Sequence, residues 1–267
     1  MRSLLLVLLV LLVLLAGGCA TAPTAAAPPT AAAPPTAAAP PAATKLVVEP
    51  APVVELVAAP LTPGERMAFE LSFRGVSVGL VETTVGQPGR YDDRTAVIIQ
   101  SRATGTGVVE MITNYIGELT TTADLDAGFA LAMHKEEWFE VLGERHHDRY
   151  ERSYRRDEEV HDVHTGIHAI RAWQSRPGDR AKVTLTFASE PLPLELLDAG
   201  RSIHPYLNTP AVRYTGTFDC VCEGENDMVP FTIWISDDTA RVPLGIHAKT
   251  RWGTVRAELA EYSSPRD

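Results

Sequence analysis

Apolar and polar residues alternate along most of the chain between residues 62 and 262. In the first such segment Met67, Phe69, Leu71 and Phe73 are separated by smaller or polar residues. A period of two residues is typical of a strand with one buried face. The same pattern occurs in segments 67–73, 76–85, 95–103, 118–125, 131–141, 182–188, 211–221, 231–236, 241–250 and 254–262. Residues that favour turns lie between the segments, which predicts an antiparallel sheet.

Segment 164–173 has a different period. Ile170, Arg171 and Gln174 lie three, four and seven residues after Ile167, the spacing of one helix face. The predicted fold class is therefore mainly β, with a curved antiparallel sheet or β-roll and about one α-helix. No second linker divides residues 61–267, so we expect them to form one domain.

The first residues have the pattern of an export signal. Arg2 precedes an apolar run from Leu4 to Leu15, and small residues then lead to Cys19. The run is shorter than the ~20 apolar residues that span a bilayer. It resembles the bacterial lipoprotein signal, which implies a signal peptide at residues 1–18 and a lipid on Cys19. An ordinary secretory signal cleaved near Ala20 is the alternative. By the same resemblance, Ala20 after the cysteine favours the outer membrane, on its periplasmic side.

Residues 19–60 are predicted to form a linker behind the lipidated cysteine. Residues 20–44 consist almost entirely of Ala, Pro and Thr, so they cannot build a core. Their prolines favour an extended conformation of up to ~3.1 Å per residue. The linker would let the β domain work away from the bilayer.

Charge and cysteine content narrow the function classes. The formal net charge is -10, which argues against a nucleic-acid partner. Cys220 and Cys222 would lie in an oxidising compartment, where cysteines are usually bonded. On an extended strand their Cα atoms lie ~6.6–6.8 Å apart, at the limit for a relaxed disulfide. A strained disulfide and two reduced thiols are both open, and metal ligation is a third alternative.

A family resemblance covers roughly residues 62–262. Residues 64–73, followed by Gly75-Val76 and Gly79, resemble the opening strands of the bacterial family called domain of unknown function 3108. The segment Trp234-Ile235-Ser236-Asp237-Asp238, then 241–243, Gly253 and 257–259, is similar to its closing strands. The resemblance implies an exported, β-rich envelope protein. It implies no catalytic residues.

Gly75-Val76-Ser77-Val78-Gly79 matches the Gly-x-Ser-x-Gly motif of α/β-hydrolases. That motif needs a strand that turns sharply into a helix, so that the serine hydroxyl is exposed. The β-branched residues that follow instead favour a β-hairpin. A hydrolase with Ser77 as nucleophile is therefore the weakest of the functional alternatives.

Three histidines, His161, His164 and His168, lie three and four residues apart and are weak candidates for a metal site. Helix capping by Asp162 or Thr165 would leave His161 outside the helix. The alternative is a solvated helix edge.

Residues 144–156 carry both arginines and carboxylates. As a strand this segment is polar on both faces, which predicts an exposed strand near a sheet edge. Arg145, Arg149 and Arg152 could alternatively bind anionic glycans or lipid head groups. Asp237 and Asp238 are predicted to form a hairpin turn.

Three function classes follow. The first is a non-enzymatic, lipid-anchored envelope protein that binds an apolar or glycan ligand, or a protein partner, in the concavity of its sheet. The second is a structural or assembly protein of the envelope, and the third is the Ser77 hydrolase. No cofactor is expected, because the chain has no phosphate loop or dinucleotide fingerprint.

Overall fold

A computed structural model describes residues 52–57, 61–141, 143–155, 158–187, 190–222 and 225–265. The strands are β1 (Val53–Glu55), β2 (Arg66–Phe73), β3 (Val76–Val85), β4 (Gly89–Tyr91), β5 (Arg94–Gly105), β6 (Ile116–Asp124), β7 (Ala130–Val141), β8 (Glu144–Ser153), β9 (Arg180–Phe187), β10 (Glu190–Ile203), β11 (Pro210–Cys222), β12 (Glu225–Ser236), β13 (Pro243–Thr250) and β14 (Gly253–Ser263). The helices are α1 (Val108–Thr113) and α2 (Val163–Ala172). The predicted mainly β fold class is confirmed.

The described strands form one 14-stranded open sheet. Its order is β1-β9-β10-β11-β12-β13-β14-β2-β3-β5-β6-β7-β8, and β4 pairs with β5 beside this path. Neighbouring strands are antiparallel except for β1 and β9. β8 lies at one end of the order, so residues 144–153 form an edge strand, and most of them are exposed.

The sheet curves round α2. Ala169, Ile170 and Trp173 at the C-terminal end of the helix pack on buried apolar residues of β9 to β12. His164, in the first turn of the same helix, contacts Ser101 of β5 and Thr121 of β6. One helix therefore touches two distant parts of one sheet, and we call the face that it touches the concave face.

The position of α2 is fixed at its start. Asp162 is the N-cap, and its carboxylate accepts the Thr165 backbone N–H while the Thr165 hydroxyl accepts the N–H of Asp162. This capping box satisfies two backbone donors at the helix start. His161 lies before the cap, in a bridge to Leu185 of β9. The sequence expectation that His161 is outside the helix is met.

Two elements depart from the sequence pattern. β10 is absent from the predicted strands because Pro191 and Pro193 lie in its first half, and proline usually marks the end of a strand. In the structure both prolines are in register with β9, in a part of β10 that has no register with β11. α1 has only six residues, too few for a period to be visible. In the described part of the chain, neither helix is long and apolar enough to cross a membrane.

Candidate functional site: the concave face

Four apolar side chains of β2, β3 and β5 on the concave face remain partly open to solvent. Phe69 of β2 is in register with Val81 of β3, and Val81 with Ala103 of β5; Leu71 follows two residues after Phe69. Each is intermediate in burial, whereas Met67, Phe73, Val85 and Ile99 on the same face of these strands are buried. We call Phe69, Leu71, Val81 and Ala103 the apolar trough. Partly accessible apolar residues on a concave surface are the usual lining of a ligand site.

A chain of hydrogen bonds lies beside the trough, two residues away from Val81 and Ala103 along β3 and β5. Thr83 Oγ1 lies 2.7 Å from Ser101 Oγ, and Ser101 Oγ lies 2.7 Å from His164 Nε2. The Thr121 hydroxyl is 2.7 Å from His164 Nδ1 and donates to the Asp162 carboxylate. His164 Nδ1–H therefore donates to Thr121, and Nε2 accepts from Ser101. Burial lowers the pKa of His164, which keeps the ring neutral.

Lys135 and Glu137 of β7 form a buried ion pair on the concave face, and we call this pair the wall. Lys135 Nζ lies 2.6 Å from Glu137 Oε2, and the Tyr115 hydroxyl donates to Glu137 Oε1 at 3.1 Å. Lys135 is 9% exposed and Glu137 1%. Burial lowers the pKa of Lys135 and raises that of Glu137, while their mutual attraction opposes both shifts. Burial beside Glu137 also raises the pKa of Tyr115. Charged groups held out of water in this way are functional-site candidates.

Helix α1 covers the concave face beyond the trough. A Cβ on Gly105 would lie 2.8 Å from Val109 Cγ1, so glycine is needed for the helix to approach β5. Val109 joins Phe73, Val78 and Val255 in one buried apolar cluster. The trough is thus continuous with an apolar core at this end.

The three predicted histidines do not converge on one site. His164 belongs to the hydrogen-bond chain, and His168 Nδ1 lies 3.4 Å from Arg171 Nη1. The His161 ring lies 4.9 Å from the Phe129 ring between centroids and is tilted against it by 46°. The metal site at these residues stays a prediction without geometric support.

A different cluster of possible metal ligands lies under the β10–β11 turn. One ligand atom each of His204, His247 and Glu258 lies within 4.8 Å of the others. His204 Nε2 is 3.1 Å from Glu258 Oε2, and Glu258 Oε1 contacts His247 Nε2. Gly245 makes room for them, since a Cβ there would lie 2.8 Å from Glu258 Oε2.

The protonation of His204 opposes a metal at this cluster. Its Nδ1 accepts the backbone N–H of Leu207 at 3.1 Å, which leaves the proton of the neutral ring on Nε2. A metal ligand usually has the opposite arrangement, with Nδ1–H as a donor. His204 Nε2 lies 3.1 Å from Glu258 Oε2, but neither of these two buried atoms has a hydrogen-bond partner in the described part of the chain. The sequence gives little sign of the cluster, because its members come from three separate segments.

The segment around Ser77 forms a β-hairpin. Gly75 has a φ of 84° in the turn between β2 and β3, and Ser77 lies in β3. Its hydroxyl is 3.5 Å from Thr106 Oγ1. A nucleophile elbow requires a helix after the serine, and here a strand follows. Asp238 accepts bonds from Ser236, Ala240 and Arg241, as predicted for a turn.

The arginines predicted for anion binding are spread over β8. Arg145 pairs with Glu140, and Arg149 pairs with Glu136 and Glu151. The Arg152 guanidinium lies 5.1 Å from the centre of the Tyr154 ring. Nearby carboxylates thus offset the charges of Arg145 and Arg149. The three arginine side chains do not form one basic patch.

Of the three cysteines, Cys220 and Cys222 have a described backbone, and Cys19 lies outside the described residues. Cys220 and Cys222 are in β11, opposite Asp227 and Glu225 of β12. Their side chains are not among those described, so the disulfide stays a prediction. Cys19 and the lipoprotein signal lie outside the described residues.

Two solved structures resemble this chain in fold. A β-barrel-like protein of domain of unknown function DUF1849 from Brucella abortus covers 80% of this chain and 100% of its own, with 10% identity and a TM-score of 0.52. A protein described as exported, with a YmcC-like fold, from Bacteroides fragilis covers 78% and 100%, with 9% identity and a TM-score of 0.35. The first likeness shows the fold alone, and the second is too low to carry an argument.

No family model and no curated protein matches the chain. The resemblance to domain of unknown function 3108 therefore stays a prediction. The chain shares its mainly β fold with an uncharacterised β-barrel-like protein.

Proposed function

We propose that this protein is a lipid-anchored, non-enzymatic binding module of the bacterial envelope that holds an amphipathic ligand against the concave face of its sheet. The observation that carries the proposal is the apolar trough. Phe69, Leu71, Val81 and Ala103 lie on the face that elsewhere forms the core, yet they remain partly accessible. An apolar tail placed there would remove them from water at about 25 cal/mol per Å² of buried surface.

The polar groups beside the trough favour binding over catalysis. Ser101 and Thr83 donate along a chain that ends at Asp162, so their protons are already committed. The buried His164 is held neutral between two hydroxyls. These groups can orient the polar part of a ligand. The anchor at Cys19 and a position at the outer membrane belong to the proposal, on the sequence pattern of residues 1–19.

Photo-crosslinking in cells that export the full chain tests this function. Benzoylphenylalanine is placed at Ala103, in the trough, or at Ile98 of the same strand, which faces away and is 54% exposed. After illumination, mass spectrometry of the isolated protein identifies adducts. We expect an amphiphile adduct at residue 103 and none at residue 98. No adduct at residue 103, or equal adducts at both, would overturn the proposal.

The same experiment addresses the assembly alternative. A structural protein would crosslink to a fixed protein neighbour from its outer surface. A protein adduct at residue 98 together with no small-molecule adduct at residue 103 would favour that class.

A further inference from the structure

The short helix α1 presents apolar side chains to solvent at one end of the sheet. Val109 and Thr113, four residues apart, are buried, and Val109 joins the apolar cluster of the strands. At about 100° per residue, Met111 lies on the opposite side of the helix, and it is 87% exposed. Ile112 beside it is exposed as well. The solvated side of α1 is therefore apolar.

A third exposed apolar residue belongs to the strand that α1 contacts. The N–H of Thr106, just before the helix, donates to the carbonyl of Val78 in β3 at 3.1 Å, and α1 itself contacts β3. Val76, the first residue of β3, is exposed. We call Met111, Ile112 and Val76 the apolar tip. An exposed group of large apolar residues, unlike a single one, marks a surface that meets another molecule or a membrane.

The turn between β13 and β14 lies at the same end of the sheet. Arg74, after β2, donates from Nε to the carbonyl of Trp252, and Trp252 packs against the buried cluster that includes part of α1. The Arg251 guanidinium lies 4.3 Å from the centre of the Trp252 ring. Indole rings favour the level of the head groups in a bilayer. Glu110 of α1 and the acidic segment 225–227 of β12 offset the two arginines, so charge does not select the occupant.

The length of the predicted linker decides which surface the tip can reach. β1 begins at Val53 and pairs with the first residues of β9, at the end of the sheet opposite to α1. Residues 20–52 span up to about 100 Å at ~3.1 Å per residue. A strand of 12 residues such as β5 is only about 40 Å long. The domain can therefore turn its α1 end towards the bilayer that holds the predicted lipid on Cys19.

We infer that the apolar tip docks on the phospholipid bilayer that carries the protein's own anchor, with Met111 and Ile112 inserted among the acyl chains. The inference rests on the lipid anchor of the proposed function and adds a second contact with the membrane. The anchor keeps the domain at a high effective concentration near the bilayer, so a tip of three side chains suffices. Docking places the end of the concave face that α1 covers next to the membrane.

The test measures the depth of Met111 in vesicles that carry the full lipidated chain. The fluorescent amino acid dansylalanine replaces Met111, or Ile203 at the opposite end of the sheet, which is 57% exposed. The protein is reconstituted into phosphatidylethanolamine–phosphatidylglycerol vesicles with or without bromine on the acyl chains. Bromine quenches a fluorophore only at close contact. Flotation with the vesicles first shows that the anchor holds the protein.

Brominated chains should reduce the emission at residue 111 about twofold or more and leave the emission at residue 203 unchanged. A blue shift at residue 111 without quenching would mean that protein, such as a second copy of the chain, covers the tip, and it would overturn the inference. Unquenched and unshifted emission, or equal quenching at both positions, would overturn it too and leave the binding function intact. A protein that does not float with the vesicles would instead overturn the anchor in the proposed function.

A pair of variants assigns the insertion to the tip. With dansylalanine at Val76, Met111→Ser/Ile112→Ser should lose most of the quenching, because it removes the inserted side chains. The matched control Ile98→Ser/Ile203→Ser changes two exposed apolar residues elsewhere and should keep the quenching. Both pairs are on the surface, so the fold should tolerate the changes. Quenching that survives Met111→Ser/Ile112→Ser would overturn the inference.

Discussion

At the scale of single residues, His168 shows how burial sets the chemistry of the interior. It is 3% exposed and faces Arg171 and His164, and Glu65 lies beyond Arg171. Burial, the Arg171 charge and His164 together lower the pKa of His168 to about 3. The ring is thus neutral in the folded protein at pH values well above 3.

This shift predicts that His168 makes stability depend on pH. An unfolded histidine has a pKa of about 6.5, so below that pH the unfolded chain takes up a proton that the folded chain refuses. Stability contributed by this residue is complete above pH 6.5 and is lost as the pH falls towards 3. Between pH 6.5 and 5 the loss is about 2 kcal/mol.

Urea unfolding of the protein and of His168→Gln at both pH values measures the effect. The difference in unfolding free energy between the two proteins should shrink by about 2 kcal/mol at pH 5. The control is His147→Gln, an exposed position on β8. A difference that stays constant between the two pH values would contradict the assigned cause.

The sequence could not identify the wall residues, although it predicts their strand. Segment 131–141 carries charged residues on both faces, with His134 and Glu136 on one and Lys135 and Glu137 on the other. A two-residue period tells which side chains share a face. It does not tell which face is covered by α1, which precedes β7 in the chain and contacts it.

At the scale of elements, the helix and most strands follow from local pattern, whereas their contacts depend on the tertiary fold. Gly166 in α2 illustrates this. Glycine lowers helix propensity by about 1 kcal/mol relative to alanine, so the sequence alone disfavours a helix there. In the structure a Cβ at this position would collide with Leu185 Cδ2 of β9. The glycine lets the helix approach the sheet.

We therefore predict that Gly166→Ala destabilises the protein, against its helix propensity. Overpacking a core costs about 1–3 kcal/mol. Except at the lower end of this range, that cost exceeds the gain of about 1 kcal/mol in helix propensity. Thermal unfolding measures the change. Leu185→Val combined with Gly166→Ala should recover part of the loss, because it shortens the side chain that collides. A stabilised Gly166→Ala would show that the helix lies further from β9.

At the scale of the whole molecule, Arg171 connects α2 to segments at β2 and at the turn between β12 and β13. Its guanidinium donates to both oxygens of Glu65, just before β2, at 2.7 and 2.8 Å. It also donates to the carbonyls of Ala240 and Arg241, in the turn after β12. Tyr262 of β14 donates to the same carboxylate. One helix side chain thus ties α2 to one side of the sheet, where β12, β13, β14 and β2 follow one another.

Arg171→Met should therefore loosen the molecule as a whole. It leaves the fully buried carboxylate of Glu65 without its cation, a change that costs about 3–5 kcal/mol. Hydrogen exchange should speed up together in β2, β14 and the β12–β13 turn, since all three lose the same partner. The double variant Glu65→Leu/Arg171→Met removes both charges and should recover much of the stability. If exchange rises only in α2, then Arg171 stabilises its own helix and does not hold these strands together.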